Sequence, residues 1–523
     1  MKNTSLGRIA IVFLSSAGIG AALQIREYDS ARHDRLTGFP SAPVENSGFL
    51  YGASRFRGIG WDTANTKREI ALVSPVHFVC ASHYPPATGA TIRFLDASGT
   101  IVERTVVSKT IIKDDEGNAS DVTLGTLNSA IDPATGVLPF RYLNLATEND
   151  YKNKPLMVFG WYARAGYGKI AGFADVDISG RNTRTLKFQY SNFGSTTDDD
   201  AKLESGDSGS PCFVDTDGQP ALVATHSAIS DSTISQDNYS AFVPHYLAGL
   251  DAALAPTGRR MRPANYDATT MSASFTQSPS TLRRSNAGQI SVAVSNSGAN
   301  EAGNVELLFA FPAGRGPDSA SAAGWVVEHR SADVWSVRKA LMASGESATV
   351  TLDWSALPDA PSLGGTLALT TDTSPQVDLA LDPELLPSFA EWADGLSDST
   401  PGGDPDSDSI TNLEEYGFGG DPEVWGTLIA GTSHPLLPRI ERTEAATIAL
   451  SFPRRTDSAQ RGLSYLVEWS DSLAADSWSE TPPPGLDIST EAWDPTVAGF
   501  ERVIYSWPDS GSRFCRVRID LNE

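Results

Sequence analysis

Gly206-Asp207-Ser208-Gly209-Ser210-Pro211 is the stretch that decides how this chain is read. A serine lies between two glycines, with a carboxylate just before it and a proline shortly after. The glycines let the backbone turn sharply and let a substrate carbonyl come close. On such a turn the N–H groups of Gly206 and Ser208 can converge on a developing oxyanion. Two upstream segments can complete the set. Val79-Cys80-Ala81-Ser82-His83 ends an apolar run on a histidine, and Asp121-Val122-Thr123-Leu124-Gly125-Thr126-Leu127 opens an alternating strand on an aspartate. A serine hydroxyl is a poor nucleophile until a base takes its proton. Neutral imidazole can do so near neutral pH, and a buried carboxylate fixes its tautomer and stabilises the imidazolium. None of this needs a metal or organic cofactor. His77 falls inside the apolar strand pattern, so His83, at the strand's end, is the preferred base. Asp114 and Asp115 sit beside Glu116 and Gly117 as solvated loop charges, whereas Asp121 leads into apolar alternation.

The order His, Asp, Ser resembles that of the trypsin/chymotrypsin-like serine proteases, over residues of about 45 to 255. The resemblance implies His83 as general base, Asp121 as its orienter and Ser208 as nucleophile, with Gly206 and Ser208 as oxyanion-hole donors. Val158-Phe159-Gly160-Trp161 is similar to the family's Gly-Trp segment. Ala221-Leu222-Val223-Ala224-Thr225-His226-Ser227 is similar to the strand after the nucleophile, with Ser227 where substrate backbone would pair. Lys202 matches the base of the pocket for the residue before the scissile bond, which would favour an acidic or polar side chain there. His226 and His245 read as structural or pocket-rim residues. The chain also departs from the family. Tyr84 stands where a cysteine usually follows the catalytic histidine, and the cysteine pair that usually braces the pocket is missing. No Ile-Val-Gly-Gly type start is found, so pairing of Asp207 with a new N-terminus is not expected. An internal cation is expected instead.

At 523 residues the chain calls for three or four domains. Lys2 and Arg8 precede the apolar run Ile9-Ala10-Ile11-Val12-Phe13-Leu14 and then small residues to Ala22. This reads as a signal peptide, 1–22, cleaved after Ala22, and places the protein outside the cell or in a periplasm. The net charge of −24 argues against nucleic acid and anionic lipid surfaces as partners, and no segment is long and apolar enough to span a bilayer. Of the three cysteines, Cys80 and Cys212 fall near His83 and Ser208. A bridge between them is conceivable; buried free thiols are the simpler reading.

After the expected protease domain, 23–258, residues 259–270 read as a linker. Residues 271–383 carry short strands with regular turns, as in Gln289 to Val294 and Val305 to Phe311, and suggest an immunoglobulin-like β-sandwich. Residues 384–423 hold eleven acidic residues and no Lys or Arg. Within them Asp404, Asp406, Asp408, Ile410 (through its carbonyl), Asn412 and Glu415 take positions one, three, five, seven, nine and twelve of an EF-hand-like calcium loop. Ser409 replaces the usual glycine at position six; a left-handed residue there costs roughly 1–2 kcal/mol. The segment resembles Asp-rich repeats of the thrombospondin type 3 or dockerin-like kind, which implies a structural calcium. Residues 437–523 again read as a β-sandwich. Exposed aromatics there would offer glycan or cell-surface contact, although a packed core explains Trp469, Trp478 and Trp507 more simply.

The expectation is therefore a mostly β protein: a double β-barrel, chymotrypsin-like domain, and two C-terminal β-sandwiches joined by a short helical calcium segment. The expected function is secreted serine endopeptidase, acting on proteins or peptides. The rival is an extracellular binding or adhesion protein that keeps the barrels as a scaffold. The complete Ser/His/Asp set separates them, because a scaffold needs none of the three.

Overall fold

The structure, a computed structural model, describes residues 23–191, 197–231, 235–278, 282–443, 447–492, 499–509 and 513–522. The expected signal peptide lies outside them. Alternation of small and bulky apolar residues builds a first barrel from β1 (Ile59–Asp62), β2 (Glu69–Ser74), β3 (His77–Ala81), β4 (Thr91–Leu95), β5 (Ile101–Lys113) and β6 (Ala119–Leu127), closed in the order β1-β2-β3-β6-β5-β4. Every residue of β2 and β3 is buried, because both faces are covered. Ile70, Leu72, Phe78 and Cys80 point into the barrel, whereas Ala71, Val73 and Val79 face a second barrel.

That second barrel comprises β7 (Pro155–Gly160), β8 (Arg164–Ile178), β9 (Arg181–Ser191), β10 (Pro211–Thr216), β11 (Gln219–Asp231) and β12 (Ser235–Phe242). It runs β11-β10-β7-β8-β9-β12 and closes through pairing of β11 with β12. Phe56, Phe140, Phe159 and Phe213 pack between the barrels, with centroids 4.5 Å apart for Phe140–Phe213 and 4.6 Å for Phe56–Phe159. Truncating such a ring to alanine costs about 3–5 kcal/mol. The fold is mostly β, of the double-barrel chymotrypsin-like kind, followed by further sheets. No helix among the described residues is long and apolar enough to cross a membrane.

Residues 259–270, expected as a linker, are pinned. Met261 is fully buried in the inter-barrel core. Tyr142 N–H donates to Arg262 O, and Ala264 N–H to Tyr142 O. Arg262 pairs with Asp372 at 2.6 Å and Arg259 with Glu306 at 3.4 Å. Both arginines are held by carboxylates distant in sequence. Beyond it, a four-stranded sheet containing Met271–Ser278, Gly288–Asn296 and Ser347–Trp354 shares one core with a five-stranded sheet containing Ala302–Ala310 and Val334–Met342. The acidic segment and the C-terminal strands also share a core: Phe389, Ile410, Tyr416 and Phe418 pack with Phe452, Trp469 and Trp507. Trp469 and Trp507 are buried as the simpler reading required, while half-buried Trp478 lies under the Arg516 guanidinium.

A basic and an acidic side chain, Arg35 and Glu69, are buried at the barrel interface. Arg35 donates to the carbonyls of Phe56 and Ile59. Glu69 Oε1 accepts the N–H of Ala163, at 3.2 Å, with the Ser210 hydroxyl near the carboxyl. Desolvation outweighs Arg35 and raises the Glu69 pKa to about 8. Native Glu69 thus keeps a proton that the unfolded chain releases above its ordinary pKa of 4.5. Its contribution to stability is lost as pH rises between those values. Glu69→Gln should remove this slope, so that denaturant unfolding favours the variant progressively more from pH 5 to pH 8. A difference between the proteins that is constant with pH would refute the assignment.

Candidate active site

The pairing of β3 with β6 places Ala81 opposite Val122, so Ser82 and His83 leave β3 beside Asp121. Ser82 N–H donates to Asp121 O, and the His83 N–H to Asp121 Oδ1 at 2.9 Å. The Asp121 side chain is fully buried. His83 Nδ1 lies 3.0 and 2.9 Å from its two oxygens. An ionised carboxylate only accepts, so the proton sits on Nδ1 and leaves Nε2 as an acceptor. Ser208 Oγ is 2.8 Å from Nε2. The structure therefore brings together His83, Asp121 and Ser208. His77 is excluded from the cluster: its Nδ1 lies 2.6 Å from Ser74 Oγ, and burial lowers its pKa to about 4.

The nucleophile loop is shaped by its glycines. Gly206 has φ 115° and Gly209 φ 92°, both strained for any other residue. The N–H groups of Asp207, Gly209 and Ser210 donate to Glu204 O, His226 O and Asp207 O. Among the described residues, those of Gly206 and Ser208 have no acceptor. They are the two donors that the sequence singles out for an oxyanion.

Asp207 meets no internal cation among the described residues. It accepts the N–H groups of Trp161 at 2.8 Å and Glu204 at 2.7 Å, together with that of Leu23. Leu23 is 1% exposed. Burial raises the Asp207 pKa to about 7 against these three donors. Nothing in the side chain of Leu23 signals this contact, because it is made through the backbone.

Other expected residues fare differently. Lys202 lies on a short strand, Ala201–Lys202, paired with Gln24–Ile25, and its Nζ is 3.5 Å from Glu204 Oε1. A carboxylate of this chain thus already competes for it. Ser227 sits at a bulge in β11; its hydroxyl donates to Thr225 O and accepts from Ala241 N–H. His226 is structural: Nε2–H donates to Phe159 O at 2.6 Å, Nδ1 accepts from Ser240 Oγ, and burial lowers its pKa to about 4. Cys80 and Cys212 are free and buried, with both thiol pKa values raised by burial. Tyr84, where the resemblance implies cysteine, accepts from Asn65 Nδ2 at 2.8 Å and lies 4.8 Å from the Arg68 guanidinium. It ties the turn that carries Asn65 and Arg68 to the chain next to His83.

The residues of the acidic loop fit a hard divalent cation. Oxygens of Asp404, Asp406 and Asp408 lie within 4.8 Å of one another. Glu415 is 1% exposed, and among the described residues its Oε2 is without a hydrogen-bond partner, as are Asp406 Oδ2 and Asn412 Oδ1. Burial, followed by the charges of Asp406, Asp408, Asp421 and Asp404, raises the Glu415 pKa to about 8. Ser409 has φ 73°, the left-handed conformation that position six demands. Asn412 donates its amide to the carbonyls of Asp398 and Thr400, which turns only its carbonyl oxygen free. Asp421 was not legible as part of this group, because it follows the loop by a helical turn and a glycine pair.

No protein-family model and no curated protein matches the chain. Among solved structures it is similar to the secreted serine protease VesC from Vibrio cholerae, at 11% identity and a TM-score of 0.26, over 89% of this chain and 97% of that one. It is also similar to the NS6 protease from murine norovirus 1, at 16% identity and a TM-score of 0.23, over 35% of this chain and 88% of that one.

Proposed function

We propose that this chain is a secreted serine endopeptidase whose C-terminal half is stiffened by calcium. The reading rests on the Asp121–His83–Ser208 relay beside two unengaged N–H groups. Ser208 Oγ attacks the scissile carbonyl as its proton passes to His83 Nε2. The carbonyl oxygen gains the negative charge and is held by the N–H groups of Gly206 and Ser208. The tetrahedral adduct expels the amine, which takes the proton from Nε2, and an acyl-enzyme remains. Water then repeats the sequence, and Ser208 is restored.

Ser208→Ala should abolish covalent labelling by a fluorophosphonate probe, and turnover should fall roughly 10⁴-fold or more. His83→Ala should be comparably damaging, because the three groups act as a unit. Equal labelling of wild type and Ser208→Ala would sink the assignment.

Export with cleavage after Ala22 would make Leu23 the first residue and its amine the partner of Asp207. Sequencing of the exported protein should begin at Leu23. One extra residue before Leu23 should lower kcat/KM by roughly tenfold or more, since a buried ion pair is exchanged for a neutral hydrogen bond. Equal activity of the two proteins would show that Asp207 needs no ammonium group.

Asp404, Asp406, Asp408 and Glu415 would hold calcium, with the Ile410 carbonyl and Asn412 completing the shell. The ion would neutralise a cluster that holds no basic residue. In a Ser208→Ala background, which prevents self-digestion, calcium at a hundredfold excess over Kd should stabilise the module by about 2.7 kcal/mol. Calorimetry of the full chain with calcium and with chelator should show this, and Glu415→Gln should erase it. Coincident melts with and without calcium would reduce the segment to a plain acidic connector.

A further inference from the structure

The turn between β1 and β2 carries a lysine that the mechanism above does not use. Lys67 Nζ lies 4.1 Å from the centroid of the Trp161 ring. A Cβ placed on Gly206 would fall 3.0 Å from Lys67 Cδ and 3.7 Å from Nζ. Its ammonium is therefore held against the loop that presents Ser208. Among the described residues no carboxylate lies within ion-pair distance of it, and no hydrogen bond engages Nζ. An unpaired cation in this position is unexpected in a chain of net charge −24.

Its support is rigid. Lys67 N–H donates to Asn65 Oδ1, Arg68 N–H to Asn65 O, and Asp62 N–H to Arg68 O. Asn65 and Arg68 are braced by Tyr84, the neighbour of His83. Trp161 is fixed by its backbone N–H on Asp207, and among the described residues its buried Nε1 has no hydrogen-bond partner. The hairpin that bears it is pinned again through Ala163 and Glu69. Lys67 and Trp161 thus form a preset shelf, with a half-buried cation held on the aromatic face.

The side of the cleft follows from the chemistry. His83 must return its proton to the leaving amine, so the leaving segment lies on the side of the first barrel, which carries His83. Lys67 belongs to that barrel, on the turn that Tyr84 ties to His83, and overhangs Gly206. We propose that Lys67 is a specificity-determining residue that binds a carboxylate side chain on one of the first two residues after the scissile bond. The inference rests on the serine protease reading. The cation on the aromatic face keeps its remaining N–H donors for the substrate, and a charged hydrogen bond at a partly desolvated site discriminates against the neutral isostere.

The test uses the full-length protein and a peptide found by profiling a peptide library. Substrates derived from it differ only after the scissile bond, Asp against Asn and Glu against Gln. Wild type should prefer the acid by roughly five- to tenfold in kcat/KM. Lys67→Gln should abolish the preference, Lys67→Arg should retain it, and Lys67→Glu should shift it toward lysine. Fluorophosphonate labelling of Ser208 in each variant reports an intact site. A labelled wild type without preference for the acid would overturn the proposal. So would a Lys67→Gln protein that keeps the preference, or that loses turnover equally on acid and amide. Absence of labelling in wild type would instead bring down the protease reading, and this inference with it.

Discussion

The buried carboxylate of Asp207 is the constraint on which the cleft depends. It takes N–H groups from three places in the chain: Leu23 at the start of the described residues, Trp161 at the β7–β8 hairpin, and Glu204 in the nucleophile loop itself. A carboxylate without these donors would be costly at 1% exposure. Each donor is thereby held in register with Ser208, its immediate neighbour. Glu69 does similar work from the other side by holding Ala163. The Tyr162–Ala163 turn has φ values of 76° and 57°, and non-glycine residues in such conformations cost about 1–3 kcal/mol each. Two buried acids keep that strained turn in place.

Much of this was legible from residue order. Ser208 announces itself through the glycines on either side, and Asp121 through the alternating strand it opens. The structure places Asp121 beside His83 because strand register is a local rule: once Ala81 faces Val122, the chain leaving β3 runs past Asp121. Ser409 could also be read in advance, since a calcium-type loop needs a left-handed residue there whatever its side chain. Contacts set by distant chain were not legible. Arg259 and Arg262 look like solvated linker charges until Glu306 and Asp372 arrive from another sheet. Lys67 looks like any turn lysine until Trp161 and Gly206 are brought beneath it. Leu23 carries no polar side chain at all; its part is played by backbone and by an apolar fit.

The C-terminal half divides differently from its composition. The acidic run suggests a separate connector, because charge changes abruptly at its edges. Packing follows the apolar residues embedded in it instead. Phe389, Ile410, Tyr416 and Phe418 are buried with the last strands, and Arg455 and Tyr465 donate to the carbonyls of Tyr416 and Gly417. The acidic loop is thus one corner of the final module. Glu415 lies at the join, with its backbone in a helix that packs on the sheet and its carboxylate among the aspartates.

The pinned stretch after the second barrel bears on reach. A free tether would let the later modules sample a cloud of positions, and the effective concentration of anything they carried would fall with tether length. Here Met261 is anchored in the inter-barrel core, Arg338 donates to Thr257 O, and Arg262 grips Asp372. The sheets of residues 271–383 are thus joined to the barrels by packing and ion pairs rather than by a free tether. Lengthening this joint would therefore change geometry before it changed affinity.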